Sequence, residues 1–203
     1  MESLVKLLKE TAEPILQEID PTLDYNNITI DVFEEKEFNE KYYDLMYPRY
    51  HNIAPVESVH GVSVPNKRYI LLREMEFYPT LNTYFHEMGH VAIDGLIKLP
   101  DTSSFFNDLA IDRETMAYSF QHYAMEQLDE KNNLMYLSFF LLPPQFIQKT
   151  KRQKLREIEA KISDLPTTGE HIRALMEISD TLEKSRNFKE TYFKLKRKLT
   201  GKC

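Results

Sequence analysis

Residues 84–92 read Tyr84-Phe85-His86-Glu87-Met88-Gly89-His90-Val91-Ala92. Two histidines stand four positions apart, and a glutamate directly follows the first. In a helix, residues four apart lie one turn along the same face, so both imidazoles aim at one point. Phe85, Met88, Val91 and Ala92 are apolar and Gly89 is small, which is the pattern of a buried helix. The spacing therefore predicts a helix with two metal ligands on one face, His86 and His90. Glu87 lies beside the metal, where it can take a proton from a bound water.

The helical period around this motif extends over Thr80–Ile97, with Gly95 near its end and Pro100 beyond it. Upstream the period is two. Arg68–Leu72 and Ser58–Val64 read as strands joined through Pro65-Asn66-Lys67, whose chemistry suits a turn. Asn27–Phe33 alternates and is rich in β-branched residues, so it predicts another strand. Lys36–Met46 is a short helix. Residues 2–19 space Leu4, Leu7, Leu8, Ala12, Ile15 and Leu16 as one helix face, with Pro14 expected to kink or end its first part.

Downstream, a polar loop over Asp101–Asn107 leads to a second helix, about Asp108–Leu128. From Lys131 onward the pattern is helical: a segment broken at Pro143-Pro144, then 146–163, 169–184 and 186–199. Leu165-Pro166-Thr167-Thr168-Gly169 reads as a connector. This order predicts an α+β fold, with a small, mostly antiparallel sheet packed on the motif helix and the second helix. The expected division is a catalytic domain over 1–145 and a helical C-terminal region over 146–203.

Zinc catalysis uses three protein ligands and an open position for water. Residues 91–95 are Val-Ala-Ile-Asp-Gly, so no third histidine extends the motif helix. The third ligand must come from another element. Glu114, 24 residues after His90 and on the next predicted helix, is the best candidate, with Asp112 and Asp108 as competitors. Ala117 and Phe120, three and six positions on, would put small and apolar groups toward the motif helix.

These pieces resemble the gluzincin clan of metallopeptidases, and within it the ImmA/IrrE family. Its members carry a strand, a motif close to H-E-[LIM]-G-H, and then E-x-x-A-[ND]-x-F-A. The matching residues are Tyr69-Ile70-Leu71-Leu72, His86-Glu87-Met88-Gly89-His90 and Glu114-Thr115-Met116-Ala117-Tyr118-Ser119-Phe120. Tyr118 stands where the family often has Asn or Asp, and the helices after residue 145 lie outside the resemblance. The resemblance implies one zinc ion held by His86, His90 and Glu114, with Glu87 as general base. It also implies that the strand just before the motif helix holds an extended substrate by edge pairing.

A tetrahedral oxyanion beside zinc needs a further donor. Tyr118, His122 and Tyr123 on the second helix, and His171 further on, are candidates, with Tyr118 and His122 preferred. The whole predicts a zinc-dependent metallopeptidase that hydrolyses peptide bonds of an extended protein substrate.

Bulk properties bound this reading. With 203 residues, 42% of them hydrophobic, the chain can bury a core without a disulfide, and its single cysteine, Cys203, could form none within the chain. The apolar residues near Met1 are interrupted by charges, unlike a signal peptide, and the longest apolar stretch, Leu134–Leu142, is too short to span a bilayer. A cytoplasmic protein without a membrane partner is expected.

The net charge of −6 is uneven: residues 146–203 hold 15 Lys+Arg against 8 Asp+Glu, leaving 11 against 24 in residues 1–145. The run Lys194-Leu195-Lys196-Arg197-Lys198 suggests an alternative. In it the chain is a regulatory or binding protein with a retained zinc site, associated with nucleic acid through its basic tail.

Overall fold

A computed structural model describes residues 2–25, 27–46, 59–64, 67–93, 108–132, 177–178, 180–182, 184–185 and 187–201. The chain packs as two compact units, 1–103 and 104–203. The first contains α1 (Glu2–Ile19), β1 (Thr29–Phe33), α2 (Glu35–Met46), β2 (Gly61–Val64), β3 (Tyr69–Arg73) and α3 (Phe77–Val91). The second contains α4 (Asp108–Asn132) and α5 (Phe188–Thr200), with further helical residues between 177 and 184. The expected boundary at 145/146, the Asp101–Asn107 loop and the helices over 131–163 lie mostly or wholly outside the described residues. No described helix is long and apolar enough to cross a membrane.

The expected elements of the first unit form, with two adjustments in the helices. α1 runs through Pro14 without ending. The motif helix starts three residues before the expected Thr80, because Pro79 falls in its first turn, where a missing N–H has no intrahelical acceptor to lose. Glu76 provides no side-chain cap there. Instead the Thr80 hydroxyl accepts the Met75 N–H at 3.2 Å and donates to the Glu76 carbonyl at 3.0 Å.

The sheet order is β1-β3-β2, with β1 parallel to β3 and β2 antiparallel to it. A mostly antiparallel sheet was expected, and this corrects it: one of the two ladders is parallel. The reason is connectivity. Only residues 65–68 separate β2 from β3, too few for anything but an antiparallel pair, whereas α2 and residues 47–60 separate β1 from the pair and give the chain length to cross over.

β3 is therefore the central strand, and its residues Ile70, Leu71 and Leu72 are all fully buried. Three consecutive buried side chains on a strand require cover on both faces. Leu71 faces Phe38, Tyr42 and Met46 of α2, with Phe33, Val62 and Tyr69 packed beside them. On that face the Tyr69 hydroxyl donates to Asp31 Oδ2 at 2.8 Å, and burial, with this bond and the Asp31 charge adding to it, raises the Tyr69 pKa. Ile30, Val32, Ile70 and Leu72 point to the other face, against which α1 and α3 lie. The strand just before the motif helix is thus paired on both sides and has no free edge for a substrate. Among the described strands the edges are β1 and β2.

In the second unit α5 has clear ends. Asn187 caps it by accepting the Glu190 N–H at 3.0 Å, and Gly201 closes it in the left-handed region at φ 63°. Tyr192 and Leu195 are buried, and the Tyr192 ring meets Phe120 of α4 edge-on at 5.0 Å. The basic run at Lys194–Lys198 is thus part of a packed helix: Leu195 is buried, and Lys198 pairs with Asp112 of α4.

Candidate metal centre

The motif helix buries most of its surface. Tyr84, Phe85, Met88 and Val91 are buried, as are Gly89, Glu87 and His90, while His86 is half-buried. With the apolar side chains fixing the rotation of the helix, the i, i+4 pair projects together. The His86 and His90 rings lie 4.9 Å apart between centroids and nearly perpendicular, at 85°.

On α4 the buried positions are Thr115, Met116, Ala117, Ser119, Phe120, Gln121, Ala124, Met125 and Leu128. The two buried hydroxyls are satisfied within the helix, Thr115 on the Ile111 carbonyl at 2.7 Å and Ser119 on the Thr115 carbonyl at 2.8 Å. Glu114 is half-buried. One ligand atom each from His86, His90 and Glu114 lie within 4.8 Å of one another. Ligands at about 2.0–2.2 Å from a tetrahedral zinc sit about 3.4 Å apart, within reach of small side-chain rotations. Two imidazoles and one carboxylate are a donor set suited to zinc. His90 is buried, and His86 and Glu114 are half-buried.

Asp112, the competing third ligand, is instead engaged by the Lys198 ammonium, and the side chain of Asp108 lies outside the described residues. Glu114→Gln is accordingly expected to weaken zinc affinity about 10–100-fold or more, since even a lost supporting contact to a ligand costs that much. Asp112→Asn should leave affinity near the unaltered value. Competition with a chromophoric chelator measures both, and a larger effect at Asp112 would move the third ligand there.

Glu87 stays out of the ligand group. Its carboxylate is buried, and Oε2 accepts the backbone N–H of Ser63 in β2 at 2.7 Å. A buried carboxylate needs such a donor, and a bond to a charged acceptor is among the stronger kinds. Ser63 was not anticipated as part of the site. Its contribution is a main-chain N–H, which any residue except proline would supply.

Of the remaining candidates, Tyr118 is half-buried one turn beyond Glu114 on α4. His122, a further turn along, stacks on the Phe188 ring of α5 at 4.9 Å and is not among the clustered ligand atoms. Tyr123 has the Lys189 ammonium 5.5 Å over its ring, and His171 lies outside the described residues. No protein-family model, curated protein or solved structure matches the chain.

Proposed function

We propose that the chain is a zinc-dependent metallopeptidase of gluzincin type, with residues 1–145 as its zincin-like part and an extended stretch of protein as its substrate. The observation carrying this reading is the convergence of His86, His90 and Glu114, with a buried, non-ligating Glu87 next to the first of them. His86, His90 and Glu114 would hold a zinc ion, which would supply Lewis acidity toward a carbonyl and a water.

The chain's own residues supply the rest. Glu87 accepts a proton from the attacking water and hands it to the leaving amine, and its Ser63 contact leaves Oε1 for that exchange. Tyr118, one turn from Glu114 on the same helix, is one candidate donor to the developing oxyanion. His122, with its ring against Phe188, is the second choice. Backbone pairing with an extended substrate falls to β2. In its ladder with β3, the Arg73 N–H bonds to the His60 carbonyl, so by alternation the Gly61 N–H and carbonyl and the Ser63 carbonyl turn outward, the Ser63 N–H being taken by Glu87.

A regulatory protein that keeps zinc for structure alone has no use for a carboxylate like Glu87, and structural zinc sites close their fourth position. The deciding experiment uses the purified full chain. One zinc per chain, cleavage of an unfolded protein library, loss of cleavage on chelation and its return with added zinc are the expected results. A stoichiometric zinc site with four protein ligands and no cleavage of any library member would overturn the reading.

A further inference from the structure

Gly61 lies on edge strand β2 where that strand meets the motif helix. A Cβ built on it would sit 2.6 Å from Thr83 Cγ2, 3.0 Å from Leu72 Cδ2 and 3.2 Å from Glu87 Cγ. Thr83 and Glu87 are themselves four apart on α3, so the glycine faces the row of side chains that carries Glu87. Two residues on, the Ser63 N–H points to Glu87 Oε2 at 2.7 Å.

Thr83 is poorly able to yield. It is β-branched and stiff at χ1, and its hydroxyl donates to the Pro79 carbonyl at 3.0 Å, which fixes the rotamer that aims Cγ2 at the strand. Leu72, on the central strand, is fully buried among its neighbours. A side chain at position 61 would therefore be accommodated by β2 moving away from α3, and the Ser63 amide would move with it.

We infer that Gly61 is a positioning residue for Glu87: the absence of a side chain lets β2 approach α3 closely enough for the Ser63 amide to hold the Glu87 carboxylate. The contact geometry is independent of any activity; its consequence for catalysis rests on the metallopeptidase reading. Held by Oε2, Glu87 keeps one orientation and offers the other oxygen to the reacting proton. Released, the carboxylate rotates among several orientations, and the fraction of encounters in a productive geometry falls.

The test uses Gly61→Ala, Thr83→Ser and their combination in the full zinc-loaded chain. Serine keeps the hydroxyl that bonds to Pro79 but lacks the methyl group that a Cβ at 61 would strike. Gly61→Ala should retain one zinc per chain and an unchanged KM while kcat falls about 10–100-fold, since a displacement on the order of 1 Å can cost as much as a hundredfold. The double variant should recover most of the loss.

The second readout needs no substrate. The Ser63 amide proton, followed by nuclear magnetic resonance, should be protected and downfield in the unaltered protein. It should move upfield and exchange about tenfold faster or more in Gly61→Ala, as expected for losing a bond to a charged acceptor. It should return in the double variant. Should Gly61→Ala not fold, Glu87→Gln in the otherwise unaltered chain serves instead, and it too should move the Ser63 amide upfield. A Ser63 amide indifferent to these changes, or full kcat in Gly61→Ala, overturns the inference while leaving the peptidase reading intact. A responsive amide in a protein that cleaves nothing supports the positioning contact and removes only the peptidase reading.

Discussion

Replacing His86 or His90 by alanine is expected to abolish stoichiometric zinc binding. Apparent zinc affinities of four-ligand protein sites are about 10–16 kcal/mol, so one ligand accounts for about 3 kcal/mol, or roughly two decades. A three-ligand site starts weaker, and a loss of that size takes it below what survives dialysis. The two variants differ in their side effects. His86 is half-exposed, so His86→Ala should cost little folding stability; His90 is buried, and His90→Ala leaves unfilled space in the packed face of α3. Metal content by atomic spectrometry, alongside far-ultraviolet circular dichroism to confirm the fold, separates ligand loss from unfolding. One zinc per chain retained in both variants would end the metal assignment.

The legible parts of this site were those whose physics is local in sequence. The His86–His90 spacing works through the pitch of one helix, and Glu114 could be nominated because the next helix had to bring the missing ligand. The strand Tyr69–Arg73 was equally legible, and so in principle was its central place. Ile70, Leu71 and Leu72 do not alternate with polar residues, which marks a strand covered on both faces. Edge pairing by this strand is implied only by the family resemblance, and its place just before the motif helix carries no information about which strands flank it.

The parallel pairing of β1 was not legible, since alternation in Thr29–Phe33 fixes which side chains share a face and not the direction of the partner. Nor was the Ser63–Glu87 bond, 24 residues apart, made by a backbone donor that leaves no trace in residue identity. Gly61 is visible as a letter. Its reason, the Thr83 methyl group 22 positions away, is not.

Glu87→Gln should separate metal binding from catalysis more sharply than any other single change. Glu87 contributes no atom to the His86, His90 and Glu114 group, so zinc stoichiometry should be unaltered. The substitution is also nearly isosteric. The glutamine carbonyl can accept the Ser63 N–H that now goes to Oε2, so β2 and α3 should stay together with at most a modest loss of stability. What glutamine cannot do is take a proton from water and return it to the leaving amine. General-base losses run to about 10²–10⁴ in rate, and the effect should appear in kcat, because the proton moves only as the bond is broken. Single-turnover rates on an unfolded protein substrate, measured for both forms at equal zinc loading, provide the comparison. Equal rates would mean that the base is another group or that the cleavage belongs to a contaminant, and the role assigned to Glu87 would fall. A drop of two decades or more with zinc retained ties the reaction to the one carboxylate that β2 holds beside the metal ligands.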